Sequence, residues 1–134
     1  MPHERLKKTR RISAVQTQLL RSAKWRAGAI LRERERIDVS RSELVTSMGD
    51  ELFGPLLVEQ AARRLSHLAV ESAQAAAAHA AQEETVRAEG LSLKRTERAV
   101  RAAARASRTA EDRATVAEIA EQSALRKTAG ASLA

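Results

Sequence analysis

The chain has 134 residues, a net charge of +7 and, apart from histidine, only two aromatic residues. Hydrophobic residues make up 43% of it, but many are alanines, whose burial removes little area from water, so a large globular core is excluded. The absence of Cys excludes disulfides and thiolate metal sites. The longest apolar run, four alanines, is far shorter than the roughly 20 residues of a membrane-spanning helix.

Ala, Glu, Arg and Leu dominate the sequence, and proline occurs only at positions 2 and 55. This composition, with apolar residues spaced near 3.5, is typical of long helices or a coiled coil. Intrinsic disorder is the alternative. We favour an ordered all-α chain because apolar seams run through both halves.

The first predicted helix covers residues 4–48. Four residues recur in it at intervals of seven: Ala23, Ile30, Ile37 and Leu44. Leu20, Ala27 and Met48 lie beside this line, and Val15 and Leu19 are expected to extend it. A turn at 49–55 is predicted because Gly49 suits a helix C-terminus and Pro55 the first turn of a new helix.

The second predicted helix covers residues 56–126 and is followed by a frayed tail, 127–134. Its seven-residue repeat runs through Leu65, Ser72, His79, Val86, Leu93, Val100, Ser107 and Ala114. A second line, three residues further on, contains Leu68, Ala75, Ala103, Ala110 and Ala117. Such a repeat implies supercoiling against a partner helix. We therefore predict one domain, 1–134, that forms an antiparallel coiled-coil hairpin with the second helix longer.

In such a hairpin the numbers of facing residues sum to about 104. The alanine-rich stretch 72–84 then faces residues 20–32, which places small side chains against large ones. The second helix overshoots the first by about 25 residues. This unpaired end predicts a partner protein or self-association.

The positive charge is concentrated near the start of the chain. Residues 1–46 hold 12 Lys or Arg against 5 Asp or Glu, whereas residues 47–134 hold 12 of each. Folding the hairpin brings two basic segments to its open end: Arg5, Lys7, Lys8, Arg10 and Arg11 beside Lys94, Arg95, Arg98 and Arg101. Because like charges at this density repel, they favour an acidic partner surface or a polyanion.

No catalytic motif is visible. His67 and His79 lie about 18 Å apart along a helix, too far to share a metal, and there is no glycine-rich phosphate loop. We predict no enzymatic activity, no metal and no cofactor. Nucleic acid is disfavoured as a partner because so few aromatics accompany the basic residues. Trp25, off the apolar line, is either an edge residue covering the seam or an aromatic anchor for a partner.

The basic start, the short first helix and the longer second helix resemble the FliJ/YscO family of coiled-coil stalk proteins in flagellar and type III secretion export. Local support comes from RLKKTRRISAVQTQLL near the start and from LKRTERAVRAAARASRTAEDRATVAEIAEQ, in which EIAE follows an Arg-rich stretch. The resemblance implies a non-enzymatic stalk that links the export ATPase ring to the export gate, and it allows export chaperones as partners. It also implies a cytoplasmic location, attached to the inner-membrane export apparatus through partners. The basic residues at the open end are then the ATPase-binding set.

The resemblance further implies a gate-contact surface. In the family this surface consists of an aromatic residue, a leucine, an alanine and a histidine at fixed spacing. It falls on Leu68, Ser72, Ala75 and His79. Ala75 and His79 match the pattern, Leu68 replaces the aromatic, and Ser72 departs from it. These positions also lie on the seven-residue seam, and with alanines all around, the sequence leaves open whether His79 faces helix 1 or points outward.

Two other functions are compatible with the sequence. One is a basic coiled-coil protein that binds nucleic acid or an acidic protein surface. The other is a structural homo-oligomer.

Overall fold

The structure, a computed structural model, describes residues 1–49 and 54–133. Two α-helices, α1 (Pro2–Met48) and α2 (Pro55–Leu133), form an antiparallel hairpin in which the second helix is longer. The predicted all-α coiled-coil hairpin is thereby confirmed. Across these residues, neither helix contains a stretch apolar enough and long enough to cross a membrane.

The end of α1 and the start of α2 follow the local sequence. The helix α1 ends at Met48, and the Gly49 N–H donates to the Thr46 carbonyl oxygen at 3.2 Å. The helix α2 begins at Pro55, where a missing N–H leaves no helical bond unmade. The predicted turn, 49–55, includes residues 50–53, which lie outside the described residues.

The far end of α2 differs from the prediction. The helix continues to Leu133, beyond the expected end at 126 and through most of the stretch for which a frayed tail is expected. Lys127, Ala129 and Ala131 are good helix formers, and Gly130 costs only about 1 kcal/mol relative to Ala. The weak stop signal therefore does not end the helix.

The chain divides into two compact units. Unit 1 comprises Met1–Thr17 and Ser92–Ala134, and unit 2 comprises Gln18–Leu91. Each unit pairs a segment of α1 with a segment of α2.

Unit 2 buries a thin aliphatic seam. Ile37 and Leu68 are each 3% exposed, Ala61 is 4% exposed and Ala23 is 5% exposed. The Gln82 side-chain amide donates to the Ala23 carbonyl oxygen of the other helix at 3.1 Å. The numbers of this pair sum to 105, so the antiparallel register at this point lies close to the predicted sum of about 104.

Unit 1 buries a smaller and more polar set. Leu6, Ala103 and Ser107 are 8%, 6% and 5% exposed, and Leu93 and Val100 are half-buried. The predicted repeat therefore faces the seam as far as Ala110, which is half-buried, whereas every residue from 111 to 131 is exposed. The predicted overshoot of α2 is present.

The expectation that Val15 and Leu19 extend the α1 stripe is wrong. Their exposed fractions are 60% and 47%. Polar residues line the seam there instead, with Thr9, Ser13 and Thr17 half-buried. The hydroxyl of Thr9 donates to the Leu6 carbonyl oxygen at 3.0 Å, and that of Thr17 to the Ser13 carbonyl oxygen at 2.9 Å. Because the hydroxyls are satisfied within their own helix, a polar seam can be buried, and a count of apolar residues does not reveal it.

Candidate partner-binding surfaces

The predicted ATPase-binding residues all belong to unit 1, and all are exposed. We call this set the basic end: Arg5, Lys7, Lys8, Arg10, Arg11, Lys94, Arg95, Arg98 and Arg101. Five of them lie on α1 and four on α2, so both helices contribute to one unit. The hairpin brings together cations that are some 90 residues apart in sequence.

The charge is divided unequally between the two units. Unit 1 holds 14 Lys or Arg against 6 Asp or Glu, a net charge of +8, while unit 2 holds 10 against 11, a net charge of −1. Within unit 1, the segments 1–17 and 92–108 alone hold 11 Lys or Arg against 2 Asp or Glu. Arg105 and Arg108, which the sequence prediction left out of the basic end, are also exposed there.

Ion pairing follows the same division. Three Arg–Glu ion pairs and two His–Glu contacts join described residues, and all lie in unit 2, for example Arg63–Glu59 at 2.9 Å and His67–Glu71 at 3.0 Å. No cation of the basic end is paired with a carboxylate among the residues that the structure describes. Unit 1 therefore presents uncompensated positive charge, which attracts anionic groups and repels itself.

An apolar groove lies beside these cations in unit 1. It is lined by Thr9, Ile12, Arg95, Thr96 and Ala99, and Ile12 is 48% exposed. Sequence reasoning missed Ile12 because it falls off the seven-residue line. Ile12 directly follows Arg10 and Arg11 in α1 and lines the groove together with Arg95, which places an aliphatic contact beside the basic end.

The predicted gate-contact residues lie on the seam of unit 2. Leu68 is 3% exposed, Ser72 and Ala75 are half-buried, and the His79 side chain is 18% exposed. The His79 Nε2 lies 3.7 Å from Glu83 Oε1. His79 therefore takes the seam side, and Leu68 offers almost no surface to a partner.

Only Ala75 of these four lines an open depression. The depression has a volume of about 520 Å³, with Ala29, Ile30, Ile37 and Ala78 among its apolar lining. Glu33 and Arg36 form part of its rim, and the hydrogen bond from the Arg36 guanidinium lowers the pKa of Glu33 below its ordinary value. Small side chains on both helices leave the space open, since no large residue fills it.

Trp25 lies in unit 2 and is 70% exposed. Most of its ring is in solvent, so it covers little of the seam. Its role as an anchor for a partner stays a prediction.

In the described ranges, no group of three or more acidic or histidine side chains is arranged to hold a metal ion. Comparison with known proteins found no matching protein-family model, no matching curated protein and no matching solved structure.

Proposed function

We propose that this chain is a non-enzymatic stalk or adaptor protein whose basic end binds an acidic partner surface. Following its resemblance to the FliJ/YscO family, the partner is the ATPase ring of a bacterial type III export apparatus, flagellar or injectisome. The chain then links this ring to the export gate. Its location is the cytoplasm, at the inner-membrane export apparatus, where it is held by its partners.

The observation that carries the proposal is the exposed, unpaired charge of unit 1. Segments 1–17 and 92–108 hold eleven cations and only two carboxylates. The cations repel one another, and the binding of an acidic surface relieves this repulsion. The neutral, ion-paired unit 2 offers no comparable attraction. Charge therefore selects the end of the hairpin that engages the partner.

The test is a pull-down with the export ATPase encoded in the same genome. Reversing the five α1 cations of the basic end, Arg5, Lys7, Lys8, Arg10 and Arg11, to Glu is expected to abolish binding at physiological salt. Removing several charged contacts lowers affinity by orders of magnitude, because each contributes to attraction and to association rate.

The matched control reverses five exposed α1 cations of unit 2 to Glu: Arg21, Lys24, Arg26, Arg32 and Arg41. The helix, the number of substitutions and the change in net charge are the same. Equal loss of binding in both variants, or no binding by the unmodified chain, contradicts the proposal.

The gate contact is proposed at the depression beside Ala75, where unit 2 is open to solvent. Ala78 lines the depression and is exposed, whereas its neighbour Ala77 is exposed but does not line it. Ala78→Arg is expected to block binding of the export gate's cytoplasmic domain, and Ala77→Arg to leave it intact. His79→Ala tests the seam histidine, and it should leave gate binding intact, because His79 takes the seam side and does not line the depression. Lower helicity with intact binding would assign His79 a purely structural role.

The same unpaired charge supports a second candidate, a polyanion such as nucleic acid. Unit 1 contains no Phe, Tyr or Trp, so it has no aromatic platform on which single-stranded bases stack. A gel-shift assay with duplex DNA distinguishes the candidates, since nucleic-acid affinity falls steeply with salt. DNA binding at low salt, with no ATPase binding, favours the second candidate.

A further inference from the structure

The end of α2 is helical, and none of the described residues of the chain covers it. All residues from 111 to 131, which we call the overhang, are exposed. In proteins most helical stability comes from packing an amphipathic face, not from intrinsic propensity. A helix of this length in solution therefore gains stability when something covers one of its faces.

The overhang has its own candidate face. Asp112, Val116, Ile119, Ser123 and Arg126 follow one another at intervals of four, three, four and three, the spacing of a coiled-coil seam. Val116 and Ile119 are 65% and 59% exposed.

This face does not continue the hairpin seam. At 100° per residue, it lies on the opposite side of α2 from Ala103, Ser107 and Ala110, which face α1. Asp112 and Val116 also line one shallow groove with Thr109 and Ala120. Ala114, Ala117 and Leu125 lie on the seam side of the overhang, whereas Val116 and Ile119, two of its three large aliphatic residues, lie on the new side.

The charges on this face are self-complementary. Asp112 and Arg126 lie one heptad before and one heptad after Ile119. When two copies of the face pack antiparallel with Ile119 on the two-fold axis, Asp112 of each copy lies opposite Arg126 of the other. In a parallel pair Asp112 instead faces Asp112 and Arg126 faces Arg126, and such like-charge contacts are unfavourable. Ile119 is also near the middle of the overhang, so this register covers both overhangs over almost their whole length.

We propose that the overhang binds the overhang of a second copy of this chain, giving an antiparallel dimer with Ile119 at its centre. The interface is isologous and closes after two copies. With only Val116 and Ile119 as aliphatic contacts, it is small, and the dimer is weak and concentration-dependent. The inference is independent of the adaptor role and of any ATPase partner.

The test is sedimentation velocity on the full chain over a hundredfold concentration range, roughly 5 to 500 µM. The unmodified chain is expected to shift from monomer toward dimer. Asp112→Lys and Arg126→Glu, each alone, are expected to raise the dimer Kd at least about tenfold, because each homodimer then contains two like-charge contacts.

The decisive sample is an equimolar mixture of the two single variants. In the mixed dimer both contacts join opposite charges, so association is expected to return to the level of the unmodified chain. Glu121→Lys, which makes the same change of charge on the other side of the helix, is the matched control and should leave Kd within about twofold.

Ile119→Glu places two carboxylates at the axis and should leave the chain monomeric throughout the range. Far-UV circular dichroism checks that every variant keeps its helicity. A chain that stays monomeric at all concentrations overturns the proposal. So does a mixture that fails to regain association, or an Asp112→Lys chain that dimerises as well as the unmodified one.

Discussion

The two units of the hairpin use the same pair of helices in different ways. Unit 2 is close to neutral, contains the three Arg–Glu ion pairs and two His–Glu contacts found among described residues, and buries Ile37 and Leu68. Unit 1 has a net charge of +8, leaves its cations unpaired, and buries Leu6 with two small residues. The comparison indicates that unit 2 supplies most of the hairpin's stability, whereas unit 1 combines a smaller buried seam with unpaired positive charge.

The largest expected effect is on the seam of unit 2. Leu68→Ala removes a side chain that is 3% exposed, and we expect it to lower the free energy of unfolding by about 2–4 kcal/mol. Leu57→Ala, at a position 47% exposed, is the control and should change it by less than about 0.5 kcal/mol. Urea unfolding followed by circular dichroism measures both. Equal losses would contradict the assignment of stability to this seam.

The hydrogen bond that Gln82 makes to the other helix of unit 2 is expected to contribute less. Gln82→Ala removes the donor to the Ala23 carbonyl oxygen and should cost about 1 kcal/mol. Gln74→Ala makes the same change at an exposed position of α2 and corrects for helix propensity. If the two variants unfold at the same urea concentration, the interhelical bond contributes nothing.

Salt should change the local stability of the two units in opposite directions, by a few tenths of a kcal/mol. Raising salt screens the repulsion among unit 1 cations and the attraction within unit 2 ion pairs. Native-state amide exchange measures the units separately. We expect protection to rise in unit 1 and to stay level or fall in unit 2. A parallel change in both units would show that unpaired charge does not distinguish them.

The smallest expected effect concerns acid. The Arg36 hydrogen bond lowers the pKa of Glu33, so this carboxylate stabilises the folded chain at neutral pH. The contribution is lost as pH falls through the lowered pKa. Glu33→Gln should therefore lower Tm slightly at neutral pH, and this difference should disappear as pH falls below the lowered pKa. Glu35→Gln, an exposed change on the same helix, is the control. If the Tm difference persists in acid, it has a cause other than the charge of Glu33.

The sequence was sufficient to predict the hairpin, the longer second helix and the repeat as far as Ala110. A seven-residue period constrains the architecture because only one helix face can be buried. The prediction failed at Val15 and Leu19, where Thr9, Ser13 and Thr17 line the seam and the two Thr hydroxyls bond within their own helix. It also left the orientation of His79 open, since alanines on all sides of the helix give no contrast between faces. The concentration of charge at one end was predictable, but its lack of ion-pair partners required the structure.

No side chain among the described residues is completely buried, and this has a thermodynamic consequence. The heat-capacity change of unfolding scales with the surface that unfolding newly exposes, and so does the slope of the unfolding free energy against denaturant concentration. A seam of alanines and half-covered residues adds little such surface per residue. The chain is therefore expected to have a flat stability curve and a broad, shallow unfolding transition for its length.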